Sequence, residues 1–249
     1  LSALEMALWD LKGKLLGAPV HDLLGGRVRE RVRVYRNLWG RNPEEFADSA
    51  KEAISNSMTA VKVSPAGPTP DVISRVQLDE MEAVVSAVRD AVGPAVDLAV
   101  DLHGRLTPAA SRRAIHALSK FDPFFIEEPC LPDGSASHLA DLRALRTAQP
   151  VAIATGERLR SAHAFAEHLL PSPVVDIIQP DVSMVGGIRA SVEIGAMAST
   201  AQVAMAPHCP YGPVQFAASM QVAATSPAHL IQEFQSLGGA GSGGGTPGG

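Results

Sequence analysis

Apolar residues along this chain follow two alternating rhythms. Leu4, Ala7, Leu8, Leu11 and Leu15 recur at the three-and-four spacing of a helix, with Ser2 and Glu5 in the positions of a capping box and Gly17 as a stop. This predicts a helix over residues 2–16. Beyond it, residues 31–35 (RVRVY) alternate strictly, and short β-type runs follow at 59–64, 96–103, 124–128, 151–157, 174–181, 203–208 and 230–235. Amphipathic stretches separate them, as where Met81, Val84, Val85, Val88 and Val92 share one helical face. Strands alternating with helices in this way predict an α/β fold, a TIM-like parallel barrel. The competing architecture is an open doubly wound sheet, which carries a glycine-rich nucleotide turn after its first strand; none stands there.

The same pattern sets the domain plan. Residues 1–28 read as a pre-barrel helix and connector, 29–237 as the barrel, and 238–249 as a disordered tail, because eight glycines in twelve residues cannot bury enough surface to order themselves. The chain opens at Leu1 inside a helix, as a fragment would. Hydrophobic residues at 46% and charged residues at 19% suit an ordinary globular protein. A net charge of −5 without a basic run argues against nucleic acid as a partner. No apolar run reaches the roughly 18 residues a membrane span needs, and charges interrupt the start where a signal peptide would be plain. Cys130 and Cys209 form no CxxC, so neither a disulfide framework nor a zinc site is read from them, and a reducing cytoplasmic setting is expected.

Ligands of a parallel barrel meet the C-terminal ends of its strands, so polar residues there carry most weight. In VDLAVDLH, Leu98, Val100 and Leu102 share one face, leaving Asp101 and His103 on the other. Strand four ends in Glu127 and Glu128, strand five in Glu157, strand six in Asp181, strand seven in His208, and strand eight carries Glu233. Each acid taken singly could cap a following helix. Carboxylates from three consecutive strands, Asp101, one of Glu127 or Glu128, and Glu157, repel one another unless a cation neutralises them, and all-oxygen donors favour magnesium.

His208 ends an apolar strand beside one ending in Asp181, and a carboxylate that fixes an imidazole tautomer makes it a competent base. His103, two residues from Asp101, is placed to donate a proton. The remaining histidines are read as ordinary structural ones. Lys62 shares its parity with Ser64 and either faces the barrel interior or snorkels to solvent. Arg105 and Arg158 could bind a substrate's carboxylate or hydroxyls, or tie loops together. Gly186 and Gly187 stand before a helix N-terminus that could take phosphate, though a turn alone explains them. A zinc hydrolase fits less well, since the first strand lacks paired histidines.

The stretches SALEMALWDLKGKLLGAPVHDLLGG, VDLHGR, FFIEEP, ATGER, IIQPDVSMVGG, APHCPYGP and IQEFQS occur in order between about residues 2 and 237. Together they resemble the mandelate racemase/muconate lactonizing branch of the enolase superfamily, most closely its galactonate dehydratase-type sugar-acid dehydratases. The resemblance implies a (β/α)7β barrel without its N-terminal α+β capping domain. It also implies Mg2+ at Asp101, Glu127 and Glu157, with His208 as base, Asp181 tuning it, His103 as acid and Glu233 stabilising the intermediate. Lys62, Arg105 and Arg158 stand as substrate-binding candidates. Branches with lysine bases carry KxK on the second strand, whereas this one reads Lys62, Val63, Ser64. The implied activity is a hydro-lyase converting an aldonic acid such as galactonate into a 2-keto-3-deoxy acid through an enediolate. A racemase or epimerase of the same superfamily, or a catalytically weak barrel fragment, are the alternatives. A homo-oligomer through exposed barrel helices is left open.

Overall fold

The structure, a computed structural model, describes residues 1–67, 72–131 and 136–235. The tail expected at 238–249 lies outside the described residues. Eight short strands alternate with helices: β1 (Val34–Asn37), β2 (Ala60–Val63), β3 (Asp97–Asp101), β4 (Ile126–Glu127), β5 (Ile153–Thr155), β6 (Ile177–Ile178), β7 (Ala204–Met205) and β8 (Gln232–Phe234). Two helices, α1 (Ser2–Leu16) and α2 (Val20–Leu23), precede them. Between successive strands come α3 (Pro43–Ser55), α4 (Arg75–Val92), α5 (Pro108–Leu118), α6 (Ala136–Ala148), α7 (Ala162–Leu169), α8 (Ile188–Thr200) and α9 (Pro213–Thr225). All strand pairs are parallel, in the order β7-β6-β5-β4-β3-β2-β1-β8. A parallel bridge between Met205 and His229, just ahead of β8, joins the two edges. The result is the (β/α)7β barrel expected. Among the described residues no helix is long and apolar enough to cross a membrane.

Strand periodicity sorts the core into two layers. Outward positions such as Val61, Val63, Leu98, Val100, Ile126, Ile153 and Ile178 pack beneath the helices in one continuous apolar cluster. Inward positions build a small separate plug of Tyr35, Ala60, Ala99, Phe125, Ala154, Ile177, Ala206 and Ile231. Two rings fill what the small residues leave, Tyr35 and Phe125 meeting edge to face with centroids 6.1 Å apart. With the barrel centre filled this way, inward polar side chains one step further along each strand have only the C-terminal mouth to occupy.

The helices begin where short polar side chains satisfy their free N–H groups. Asn42 accepts from the Glu45 N–H at 2.8 Å, Ser74 and Gln77 form a capping box, and Thr107 and Ser161 cap α5 and α7. The capping box expected of Ser2 and Glu5 is not formed, and Gly17 alone closes α1 as foreseen, in the left-handed conformation at φ 63°. Ser2 and Glu5 instead cap a different helix. Ser2 Oγ accepts from Gly186 N at 3.1 Å, while the Glu5 carboxylate accepts from Ile188 N at 2.7 Å and Arg189 N at 3.0 Å. Helix α8 starts at a glycine with no cap of its own, and Glu5 fills that electropositive end. Gly187 has φ 96°, which strains any residue with a Cβ, and a Cβ there would also meet the Glu5 carboxylate. The anion position read from Gly186 and Gly187 holds the Glu5 carboxylate of this chain.

The first strand also differs from expectation. Its ladder starts at Val34, paired with Gln232, and runs to Asn37. Arg31 and Arg33 supplied the alternation at 31–35, but Arg33 lies at the strand's foot, bound to Asp97 at 2.6 Å and to Thr59.

Candidate active site

The C-terminal ends of the strands gather buried ionisable groups of both signs. Asp101 on β3 stands in register with Glu127 on β4. Alternation along β4 turns Phe125 and Glu127 inward and sends Ile126 to the helical layer. Lys62 on β2 lies beneath them. Its Nζ is 2.7 Å from Glu127, 3.1 Å from Glu233 and 3.8 Å from Asp101, and it stands 5.3 Å above the Tyr35 ring. Burial works against its charge, but Glu127 and Glu233 outweigh this and hold the ammonium well above its usual pKa. Of the two positions left open for Lys62, it takes the interior one, without snorkelling.

Burial dominates the acids as well. It pushes Asp101 up to about 6 and Glu127 up to about 7, against the pull of Lys62. Glu157, after β5, is also raised by burial. Glu233 is the exception. Burial is overcome there by Lys62, His208, the Cys209 N–H at 2.5 Å and the Asn37 amide at 2.7 Å, which together take it down to about 2.

The two histidines singled out from sequence both reach the mouth. His208 sits between two carboxylates, with Nδ1 2.9 Å from Asp181 and Nε2 3.3 Å from Glu157. Burial lowers its proton affinity, but Glu233, Asp181 and Glu157 reverse the sign and raise it to about 9. Asp181 is itself fixed by the Gln215 amide at 2.8 Å and by the Ser183 N–H at 2.7 Å. His103 lies just past β3 with its Nδ1 3.2 Å from Asp101 and its own N–H donating to Asp101 at 2.8 Å. Burial, then Lys62, lowers it to about 4. Its backbone is left-handed, φ 53°, so it leaves the strand's parity and swings over the mouth.

The three carboxylates expected to share one ion are neighbours, yet among the described residues no three His, Cys, Asp or Glu side chains are gathered tightly enough to hold a metal as they stand. Like charges in a buried mouth separate, each toward its own positive partner: Glu127 to Lys62, Glu157 to His208 and Arg158. The donor chemistry still fits a hard divalent cation, since of three oxygen donors from successive strands Asp101 and Glu127 are buried, Glu157 is largely so, and all are shifted toward the neutral form, which a cation would reverse. The guanidinium groups face protein. Arg105 donates to the Ala66 carbonyl, and Arg158 meets Glu128, Glu157 and the His103 carbonyl.

Several residues of the site escape a reading of acids and histidines alone. Gln179 donates to Glu127 at 2.8 Å, Asn37 to Glu233 and Gln215 to Asp181. Gln179 was findable, two positions before Asp181 at the same strand end; Gln215 lies on α9 and gives no such signal.

Comparisons with known proteins bear directly on this constellation. Residues 45–239 match the family described as enolase C-terminal domain-like, and residues 1–25 match the mandelate racemase/muconate lactonizing enzyme N-terminal domain. The segment carrying α1 and α2 is thus similar to part of that N-terminal domain. The chain is 40% identical over 230 residues to the D-gluconate dehydratase of Thermoproteus tenax, covering 91% of this chain and 45% of that protein. It is 37% identical to the D-galactonate dehydratase of Variovorax paradoxus, with 96% and 61% covered. A solved mandelate racemase/muconate lactonizing enzyme-like protein from Rubrobacter xylanophilus superposes with a TM-score of 0.88 at 33% identity, over 95% of this chain and 65% of that one. The chain spans about half to three-fifths of the length of these curated relatives. With barrel, strand-end acids and motif order in agreement, it belongs to the mandelate racemase/muconate lactonizing enzyme family of the enolase superfamily.

Proposed function

We propose that this barrel serves a sugar-acid dehydratase, removing water from an aldonic acid to give a 2-keto-3-deoxy acid. The observation that carries the reading is the Asp181–His208 pair at 2.9 Å, at the end of a strand and opposite the acid-rich strands β3 and β4. The names of the relatives, D-gluconate and D-galactonate dehydratases, supply the substrate class.

In this reading Asp101, Glu127 and Glu157 would hold a divalent cation, magnesium by the hardness of their oxygens. When bound, it offsets the negative charge that develops on the substrate carboxylate. The chain's own residues do the rest. Asp181 accepts the Nδ1–H of His208, so that in the fraction of rings that are deprotonated Nε2 is free to take the proton beside the carboxylate. The carboxylates that raise His208 also favour the imidazolium it becomes. Burial and Lys62 keep the His103 ring mostly neutral, and the small imidazolium fraction is a strong acid, the form that would give its Nε2 or Nδ1 proton to the departing hydroxyl and return to the neutral ring. Lys62, paired with Glu127 and Glu233, would supply a positive charge toward the substrate's own carboxylate. Glu233 remains ionised and holds Lys62, Asn37 and the Cys209 N–H in place.

A screen of aldonic acid diastereomers for keto-acid formation, with and without added magnesium, tests the proposal. Keto acid from at least one diastereomer, dependent on the metal, is expected. Solvent deuterium entering the α-position with no loss of water from any diastereomer would move the assignment to a racemase or epimerase.

A further inference from the structure

Glu128 and Arg158 form a second charged pair directly behind the candidate acid, with no part in the proposed proton transfers. Glu128 follows the inward Glu127, so alternation turns its side chain away from the barrel interior, and its backbone is left-handed at φ 44°. The carboxylate is fully buried. One oxygen accepts from Thr155 Oγ1 at 2.5 Å and from Gly156 N at 3.1 Å, and the other lies 3.2 Å from Arg158 Nε. Arg158 Nη2 donates to the His103 carbonyl at 3.0 Å. Glu128's own carbonyl accepts from Gly104 N at 2.8 Å, the N–H of that same peptide group. The peptide group that follows the left-handed His103 is therefore held at both its carbonyl and its N–H, from β4 and from the turn after β5. A non-glycine residue at positive φ persists where its surroundings over-determine it.

We propose that Glu128 and Arg158 are positioning residues that fix the His103 imidazole over the mouth. The inference rests on the reading of His103 as the acid that protonates the departing hydroxyl. Glu128 works at one remove: two hydrogen bonds from Thr155 and Gly156 fix its carboxylate, its charge pairs with Arg158, and Arg158 holds the His103 carbonyl. Thr155 and Gly156 thereby link the turn that carries Glu157 to the same unit. A guanidinium can reach acid and carbonyl together through its separate N–H groups, which an ammonium cannot reproduce.

The test uses Glu128→Gln and Arg158→Lys in the full chain labelled with carbon-13 at the histidine ring. Glu128→Gln keeps an acceptor for Thr155 and Gly156, removes the charge from Arg158, and touches neither His103 nor Glu157. The expected result is a His103 ring resonance that shifts and broadens in both variants while the resonance of His229 stays in place. Keto-acid formation should fall by about 10²-fold, as for a misplaced reacting group, with deuterium exchange at the α-carbon falling several-fold less. A His103 resonance unmoved in both variants, or exchange and water loss falling equally, overturns the pairing. Should the unaltered chain give neither keto acid nor exchange with any aldonic acid, the dehydratase reading fails separately, and the resonance alone decides whether the pair positions His103.

Discussion

His208 and His229 sit at opposite ends of the barrel, one beyond β7 at the mouth and the other ahead of β8 at the floor. Both are largely buried, and burial alone makes either ring hard to protonate. At the mouth that effect is reversed by Glu233, Asp181 and Glu157, and His208 rises to about 9. At the floor neither ring nitrogen of His229 has a hydrogen-bond partner, Arg29 is the nearby charge, and the ring drops to about 3. The surroundings follow the same division. Around the floor, Arg29 donates to the Ala223 and Ser226 carbonyls, Arg89 to those of Phe121, Gly93 and Val96, and Arg146 to Pro173 and Asp176. Those cations tie backbone together. The mouth instead concentrates acids and keeps groups able to exchange protons, an arrangement that costs stability and marks a reactive site.

Replacing His208 with Gln gives the largest expected effect on this contrast. Loss of the general base should lower both water loss and α-proton exchange by about 10²- to 10⁴-fold. Exchange at the unaltered rate would mean that another group takes the proton. The same substitution reads out on stability. A histidine raised from 6.5 to about 9 contributes stability that is complete below 6.5 and lost as pH climbs through 9. Urea unfolding between pH 6.5 and 9 should therefore show a decline in the parent chain that His208→Gln lacks.

Much of this contrast was legible in the sequence, and the exceptions have physical causes. The two-residue period turned Asp101 away from the helices, because strand parity is rigid where both faces are buried, while for Lys62 it left solvent open as a second choice because a long side chain at a strand end can bend away. It put His103 on the side of Asp101, but it could not show the positive φ of His103 and Glu128 or what their peptide groups meet, since the regular strand ends before them. Ser2 and Glu5 satisfied a local capping rule yet serve α8, since a carboxylate answers whichever free N–H groups approach it. The leucines at 4, 8, 11 and 15 form a true helical stripe, but in this structure the stripe is exposed, and α1 packs through Met6, Trp9 and Gly13 instead. Arg158 was a candidate for substrate contact; that its partners would be Glu128 and a peptide carbonyl depended on loops from three strands meeting.

Lys62→Met sharpens the comparison at the next level. It leaves Glu127, Glu233 and Asp101 in one buried space with their shared cation gone, which for a broken buried pair costs about 3–5 kcal/mol. The loss should be greater at pH 8 than at pH 5, where Asp101 and Glu127, raised to about 6 and about 7, take up protons instead. Added magnesium should restore part of it, if the acids can gather on the ion. Unfolding in urea at the two pH values, each with and without magnesium, measures all three effects. A variant as stable as its parent at pH 8 would mean that the ammonium does not hold the mouth together.

The smallest effect belongs to the floor. His229→Leu changes packing by an amount that does not vary with pH, so the informative quantity is the pH dependence of the difference between variant and parent. A ring lowered from 6.5 to about 3 stays neutral in the folded chain while the unfolded chain binds a proton. The parent should then lose about 1.4 kcal/mol of stability for each pH unit below 6.5, and the variant should not. The His208→Gln difference runs the other way, developing on the alkaline side. Two difference curves of the same slope would mean that burial alone governs both rings, and that the carboxylates around the mouth do not reverse it.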